Sequence, residues 1–182
     1  MRIVGGKFRG RVITPPRNLR ARPTTDFAKE NLFNVLNNLV DIEGADVLDL
    51  FSGTGSISYE FVSRGAASVT SVEVNGVHHN FIKQTAAAFG MDNLYAVRAN
   101  AFLYLKSVAK QFDIIFSDAP YDLEGSEEVI PLVLEQGLLR EGGLLIFEHS
   151  KQKSFEGHPN LLQTRSYGSV QFSFFGAEPV HS

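Results

Sequence analysis

The 182 residues are enough for one ordinary domain with a full core, and an apolar content of 43% argues against disorder. The absence of cysteine excludes a disulfide framework and a thiolate zinc site. The net charge of −3 hides a divide: residues 1–22 carry seven cations and no acid, and the remainder carries ten cations and twenty acids.

That basic block opens the chain. It reads as an electrostatic footprint for a polyanion or, more blandly, as a solubilising arm. The glycines and turn residues that space its cations favour an ordered footprint. Two short strands, Arg2 to Val4 and Arg11 to Thr14, are expected around Gly5-Gly6 and Gly10 as a small hairpin. The start holds no apolar leader and no run approaches eighteen apolar residues, so a cytoplasmic chain with no membrane contact is expected. Residues 15–23 form an extended basic connection. Thr24, Thr25 and Asp26 offer N-caps for a helix to about Leu39, whose Leu32, Phe33, Leu36 and Leu39 make one buried face.

From Gly44 onward strands and helices alternate. Strands are expected at 46–51, 68–74, 94–98, 112–117 and 143–148, and helices at 56–63, 76–89, 101–109 and 127–136. This is the pattern of parallel βαβ units and a sheet covered on both faces. Leu161 to Tyr167 and Val170 to Phe175 read as a closing antiparallel hairpin about Gly168. The fold class is α/β, Rossmann-like, with a mostly parallel twisted sheet. The alternating Phe172, Phe174 and Phe175 read as core rather than as a base-stacking platform.

The chemistry gathers where strands end. Val47 to Phe51 is a short apolar strand that turns through Gly53 and Gly55, where a backbone can approach a ligand. A dinucleotide fingerprint needs a third glycine, and Ser58 stands there. Asp49 at the strand end would repel a phosphate and attract an ammonium. The loop D-x-x-x-G-x-G therefore suits S-adenosylmethionine, which has an ammonium, a sulfonium and no phosphate, better than NAD. A tight turn around a satisfied carboxylate is the plainer alternative. Glu73, twenty residues after Gly53, fits an acceptor for ribose hydroxyls. Asn100, or the Ala101 backbone, can pair with an adenine edge, although Asn100 serves equally well as a helix N-cap.

Ser117-Asp118-Ala119-Pro120-Tyr121 ends another strand. It is either a strand-ending turn or a clamp for a planar amino-bearing base. In the clamp, Asp118 and the Ala119 carbonyl accept the amino hydrogens and Tyr121 stacks on the ring. A guanine edge, with an N–H beside its amino group, suits a carboxylate better than an adenine edge does. Adjacent His78 and His79 do not share a helix face for a metal, and His149 can edge the pocket without being required there.

With these motifs the chain resembles the RsmD family of bacterial 16S rRNA guanine-N(2) methyltransferases, in the class I S-adenosylmethionine-dependent superfamily, over nearly its whole length. Arg2-Ile-Val-Gly-Gly-Lys-Phe-Arg-Gly-Arg11 looks like the family's opening signature, and Arg22-Pro-Thr-Thr-Asp26 with Lys29-Glu-Asn-Leu-Phe-Asn34 looks like its second. Asp49 to Gly55 matches the cofactor loop and Asp118 to Tyr121 the catalytic motif. Ala119 stands where the family usually has proline, and Asn75 where an aspartate is common.

The resemblance implies catalytic residues Asp118, Ala119, Pro120 and Tyr121. It implies S-adenosylmethionine on Asp49, Phe51, Ser52, Gly53, Gly55, Glu73, Val74, Asn100 and Ala101. Thr24 and Asp26 would line the cofactor or base pocket. A basic extension, residues 1–24, would contact RNA through Arg9, Arg11 and Arg22, ahead of a methyltransferase domain, residues 25–182. The implied substrate is one guanine of small-subunit rRNA in a partly or fully assembled 30S particle. The protein is expected to be a monomer without metal. The alternatives are methylation of another amino group, in DNA adenine or protein glutamine, and an RNA-binding assembly factor of weak activity.

Overall fold

A computed structural model describes residues 1–19 and 24–180. One seven-stranded sheet runs through the molecule in the order β3-β2-β1-β4-β5-β7-β6. Its strands are β1 (Asp46–Leu50), β2 (Ser68–Val72), β3 (Leu94–Val97), β4 (Phe112–Ser117), β5 (Leu139–His149), β6 (Leu161–Tyr167) and β7 (Val170–Gly176). The first five are mutually parallel, and β7 is antiparallel to both β5 and β6. The chain winds outward from β1 to β3, then returns to place β4 on the other side of β1. That reversal opens a crevice beyond the carboxyl ends of β1 and β4.

Period-two alternation along the strands divides the core. Val47, Ile114, Phe116, Ile146, Phe172 and Phe174 face α1 (Asp26–Leu39), α2 (Ser56–Ser63) and α3 (Gly76–Ala88). Leu48, Leu50, Ile115, Leu145, Phe147 and Phe175 face α4 (Ala101–Ser107) and α5 (Val129–Glu135). The three late phenylalanines are thus core, as their spacing predicts. Side chains start three of the helices. Thr25 accepts from the Ala28 N–H, Asn75 from those of Val77 and His78, and Asn100 from those of Phe102 and Leu103.

Three expectations needed adjustment. The predicted 127–136 helix is a 3-10 turn, Ser126–Glu128, running into α5. Strand β5 begins at Leu139 rather than 143, because Leu139 pairs with Phe112 across an irregularity before regular pairing resumes at Ile114–Leu144. The N-terminal hairpin is reduced to a single antiparallel bridge, Arg2 to Val12. Its ladder stops because the Val4 and Gly5 N–H groups turn to the Glu60 carboxylate, at 3.0 and 2.9 Å.

This N-terminal segment is docked on the core. Ile3 and Ile13 are buried among residues of α1 and α2. Gly6, at φ +76°, lies so close to α2 that a Cβ would collide with the Ser63 carbonyl oxygen. Lys29, buried in α1, donates to the Arg2 carbonyl at 2.7 Å and faces Glu60 at 3.4 Å. Arg22 lies outside the described residues, as does the end of the predicted 15–23 connection. Among the described residues no helix is long and apolar enough to cross a membrane.

Candidate active site

The crevice beyond β1 and β4 is a cavity of about 780 Å³. It is lined by Asp49, Phe51, Ser52, Gly53, Glu73, Val74, Asn100 and Ala101, and also by Asp118, Ala119, Pro120 and Tyr121. Two motifs sixty-odd residues apart in sequence therefore share one space, because β1 and β4 pair directly, Leu50 beside Ser117. Thr24 joins the wall; Asp26 instead pairs with Arg2 at 2.9 Å.

Gly55 does not line the cavity but makes the loop possible. It caps α2 at φ 92°, and a Cβ there would meet the Tyr59 hydroxyl oxygen at 2.6 Å. Tyr59 donates from that hydroxyl to the Thr54 carbonyl at 2.7 Å and braces the turn from beneath. Phe51 is the one non-glycine among the described residues with positive φ, 56°. Its ring meets Phe102 edge-on at 5.8 Å, so a conformation disfavoured for a bulky residue is held by aromatic packing at the cavity wall.

The carboxylates are deeply set. Asp49 is 2% exposed, and burial pushes its carboxyl up to about 7, with the Glu73 charge adding to the rise. The Ser58 hydroxyl opposes that shift by donating to Asp49 Oδ2 at 2.6 Å, and it pairs also with the Ser71 hydroxyl. The serine that breaks the dinucleotide fingerprint thus serves the carboxylate. Glu73 accepts the Gly53 N–H on Oε1 at 2.8 Å and the Asn75 N–H on Oε2 at 2.9 Å. Each oxygen keeps a lone-pair direction for a further donor. Two acids on one wall disfavour a phosphate and favour a ligand with an ammonium and hydroxyls. Among the described residues no group of three or more His, Cys, Asp or Glu is placed to hold a metal ion.

Arg9 and Arg11 do not join the cavity. The turn that carries them packs against the C-terminal end of α2, where the Lys7 N–H meets the Ser63 carbonyl at 2.7 Å. The cavity faces the other end of that helix, a helix length of about 10 Å away. Arg11 stacks its guanidinium over Phe89 at 4.5 Å, beyond the far end of α3. Other wall residues, notably Ser56, Ile57, His78 and Phe102, had not been singled out for the site. All four lie in the first turns of α2, α3 and α4. The available signal was that helix starts face the same space as strand ends.

Known proteins match this chain over nearly its whole length. The family model described as "Conserved hypothetical protein 95" matches residues 1–176. Ribosomal RNA small subunit methyltransferase D of Escherichia coli is 30% identical, the match covering 98% of this chain and 90% of that protein. The solved structure of the putative methyltransferase yhhF from Escherichia coli superposes with a TM-score of 0.84 at 31% identity, covering 98% of each chain. More distantly, the fold is shared with the Thermus thermophilus 16S rRNA N2 methyltransferase RsmC, solved with AdoMet and guanosine. There the TM-score is 0.67 at 20% identity, over 84% of this chain and 43% of that one. A match over nearly the whole chain, by model and by relatives alike, places the protein in the Conserved hypothetical protein 95 family, that of ribosomal RNA small subunit methyltransferase D.

Proposed function

We propose that the protein transfers a methyl group from S-adenosylmethionine to the exocyclic amino group of one guanine in small-subunit rRNA. The observation that carries this reading is that residues of the Asp49–Thr54 stretch and Asp118–Tyr121 line one cavity. The relatives' names supply the rRNA, and the RsmC neighbour, by its title an N2 methyltransferase holding guanosine, supplies a precedent for the base.

Bound S-adenosylmethionine supplies a methyl group activated on a sulfonium. The chain's own residues do the rest. Asp49 would hold the amino-acid tail of the cofactor, Glu73 its ribose, and the Asn100–Ala101 turn its adenine. Asp118 and the Ala119 carbonyl accept hydrogens of the target amino group and aim its lone pair across the cavity, and Tyr121 stacks on the base. Formation of the nitrogen–methyl bond would break the sulfur–methyl bond and leave a neutral thioether, and the hydrogen held by Asp118 would be the proton released. Catalysis is then positioning and electrostatics.

The target base has to leave its stack for its amino group to reach Asp118 inside the cavity. Arg9 and Arg11, set apart from the cavity, would hold phosphates distant from the target, with Arg22 as a third contact. Residues 1–24 act in this reading as the RNA-contacting extension of a monomeric cytoplasmic enzyme whose substrate is an assembled or nearly assembled 30S particle.

The test uses small-subunit particles from a strain lacking the enzyme, with labelled S-adenosylmethionine and free rRNA in parallel. Label in one N2-methylguanine of the particle is expected. Label in adenine, in protein, or nowhere overturns the reading.

A further inference from the structure

His78 is set into the cavity wall at the first turn of α3, its side chain 13% exposed. Its Nδ1 lies 3.9 Å from Glu73 Oε2. That is too long for a hydrogen bond between them. It is the separation of two groups that grip one hydroxyl: legs of about 2.8 Å to a shared oxygen span 3.9 Å when they meet near a right angle. The neighbouring His79 differs, its Nε2 lying 3.2 Å from the Ala96 carbonyl oxygen.

Glu73 cannot complete such a grip alone. It accepts but does not donate, and one position on each oxygen is already taken by the N–H groups of Gly53 and Asn75. A ribose hydroxyl that donates to the carboxylate still has lone pairs to satisfy, and an imidazole N–H satisfies one. The rotation of α3 that brings His78 there is fixed by Asn75, which accepts the His78 backbone N–H at 3.1 Å.

We infer that His78 is a cofactor-binding residue, donating to the ribose hydroxyl whose proton Glu73 accepts. This rests on the reading of the cavity as an S-adenosylmethionine site. Titration calorimetry tests it with S-adenosylmethionine and its 2′-deoxy and 3′-deoxy analogues, on the parent chain and on His78→Ala and His78→Asn.

The alanine variant is expected to weaken S-adenosylmethionine roughly five- to twentyfold. It should leave unchanged the affinity for whichever analogue lacks the bridged hydroxyl. His78→Asn, which keeps an N–H near the Nδ1 position, should recover most of the loss. Equal weakening of all three ligands, or no weakening at all, overturns the inference while leaving the cofactor reading intact. A parent chain that binds none of the three overturns the cofactor reading, and the role of His78 falls with it.

Discussion

Glu73 and Gly53, twenty residues apart, are joined by a 2.8 Å hydrogen bond from the glycine N–H to Oε1. The acid at the end of one strand thereby fixes the loop at the end of its neighbour. β1 and β2 pair in parallel, Leu50 beside Val72, so their continuing chains emerge side by side. A residue assigned to ribose is also a structural tie, and the two roles can be separated.

Substituting Glu73→Gln keeps the side chain's shape and one acceptor oxygen. It removes the charge and one of the two acceptors that now receive the Gly53 and Asn75 N–H groups. Hydrogen bonds to a charged group contribute about 1.5–3 kcal/mol each. S-adenosylmethionine is expected to bind some ten- to a hundredfold more weakly, with a smaller change in thermal midpoint. Calorimetric titration alongside thermal melting distinguishes this from general unfolding, in which both would fall together.

Asp49 carries a pH prediction. Its carboxyl, raised to about 7 by burial, is partly protonated in the free protein near neutrality. A bound ammonium favours the ionised form, so binding expels a proton below that value. Affinity for S-adenosylmethionine should weaken about tenfold from pH 8 to pH 6, with proton release seen as a buffer-dependent enthalpy. For stability the sign is opposite. The folded state holds a proton that the unfolded state gives up near the ordinary carboxyl value, so this group's contribution is best at low pH. It is lost as pH rises from about 4 to about 7. Asp49→Asn should remove both dependences, stabilise the chain at pH 8 and abolish tight cofactor binding. A variant whose affinity keeps the parental pH profile would refute the role of Asp49.

The reach of the sequence follows from these cases. Asp49, Glu73 and Asp118 were legible because each ends a short apolar run, and parallel strands deliver such ends to one edge of a sheet. Ser58 was legible only as a missing glycine. Its bond to Asp49 depends on how α2 lies against β1, which periodicity does not encode. His78 and Phe102 were missed for a related reason, since the rotation of a helix about its axis is set by its cap and packing. The direction of the basic hairpin depended on Glu60, some 55 residues away from the backbone groups it binds. No local pattern announces a partner at that distance, so the sequence leaves open that these cations lie at the far end of a helix from the cavity.

Glu60 itself yields a stability prediction. The side chain is fully buried, and its oxygens accept from the Val4, Gly5 and Arg64 N–H groups while facing Lys29. Burial holds the Lys29 pKa below its ordinary value, and the Glu60 charge is the main influence opposing that fall. Glu60→Ala strands a buried cation and two backbone donors. It should cost about 3–5 kcal/mol in urea denaturation and release the N-terminal segment to proteolysis. Arg64→Ala, which removes one donor at 2.8 Å from the edge of the network and leaves Lys29 facing Glu60, should cost less, about 1.5–3 kcal/mol. Equal costs would mean that the clasp is not centred on Glu60.

Asp118 separates binding from chemistry. It lines the same cavity as Asp49 and Glu73, on the chain leaving β4. In the proposed arrangement it meets the target amino group and not the cofactor. Asp118→Asn keeps one acceptor oxygen but loses the charge that takes up the released proton; Asp118→Ala loses both. Methyl transfer to small-subunit particles should fall by about a hundredfold in the first and a thousandfold or more in the second. S-adenosylmethionine affinity should stay within about twofold of the parent in both, since a group that acts only on the transition state leaves ground-state binding unchanged. Single-turnover transfer of a labelled methyl group, with calorimetry on the same preparations, measures both quantities. Parental turnover by Asp118→Ala would place the chemistry elsewhere. An equal loss of cofactor binding would make Asp118 part of the donor site instead of the acceptor clamp.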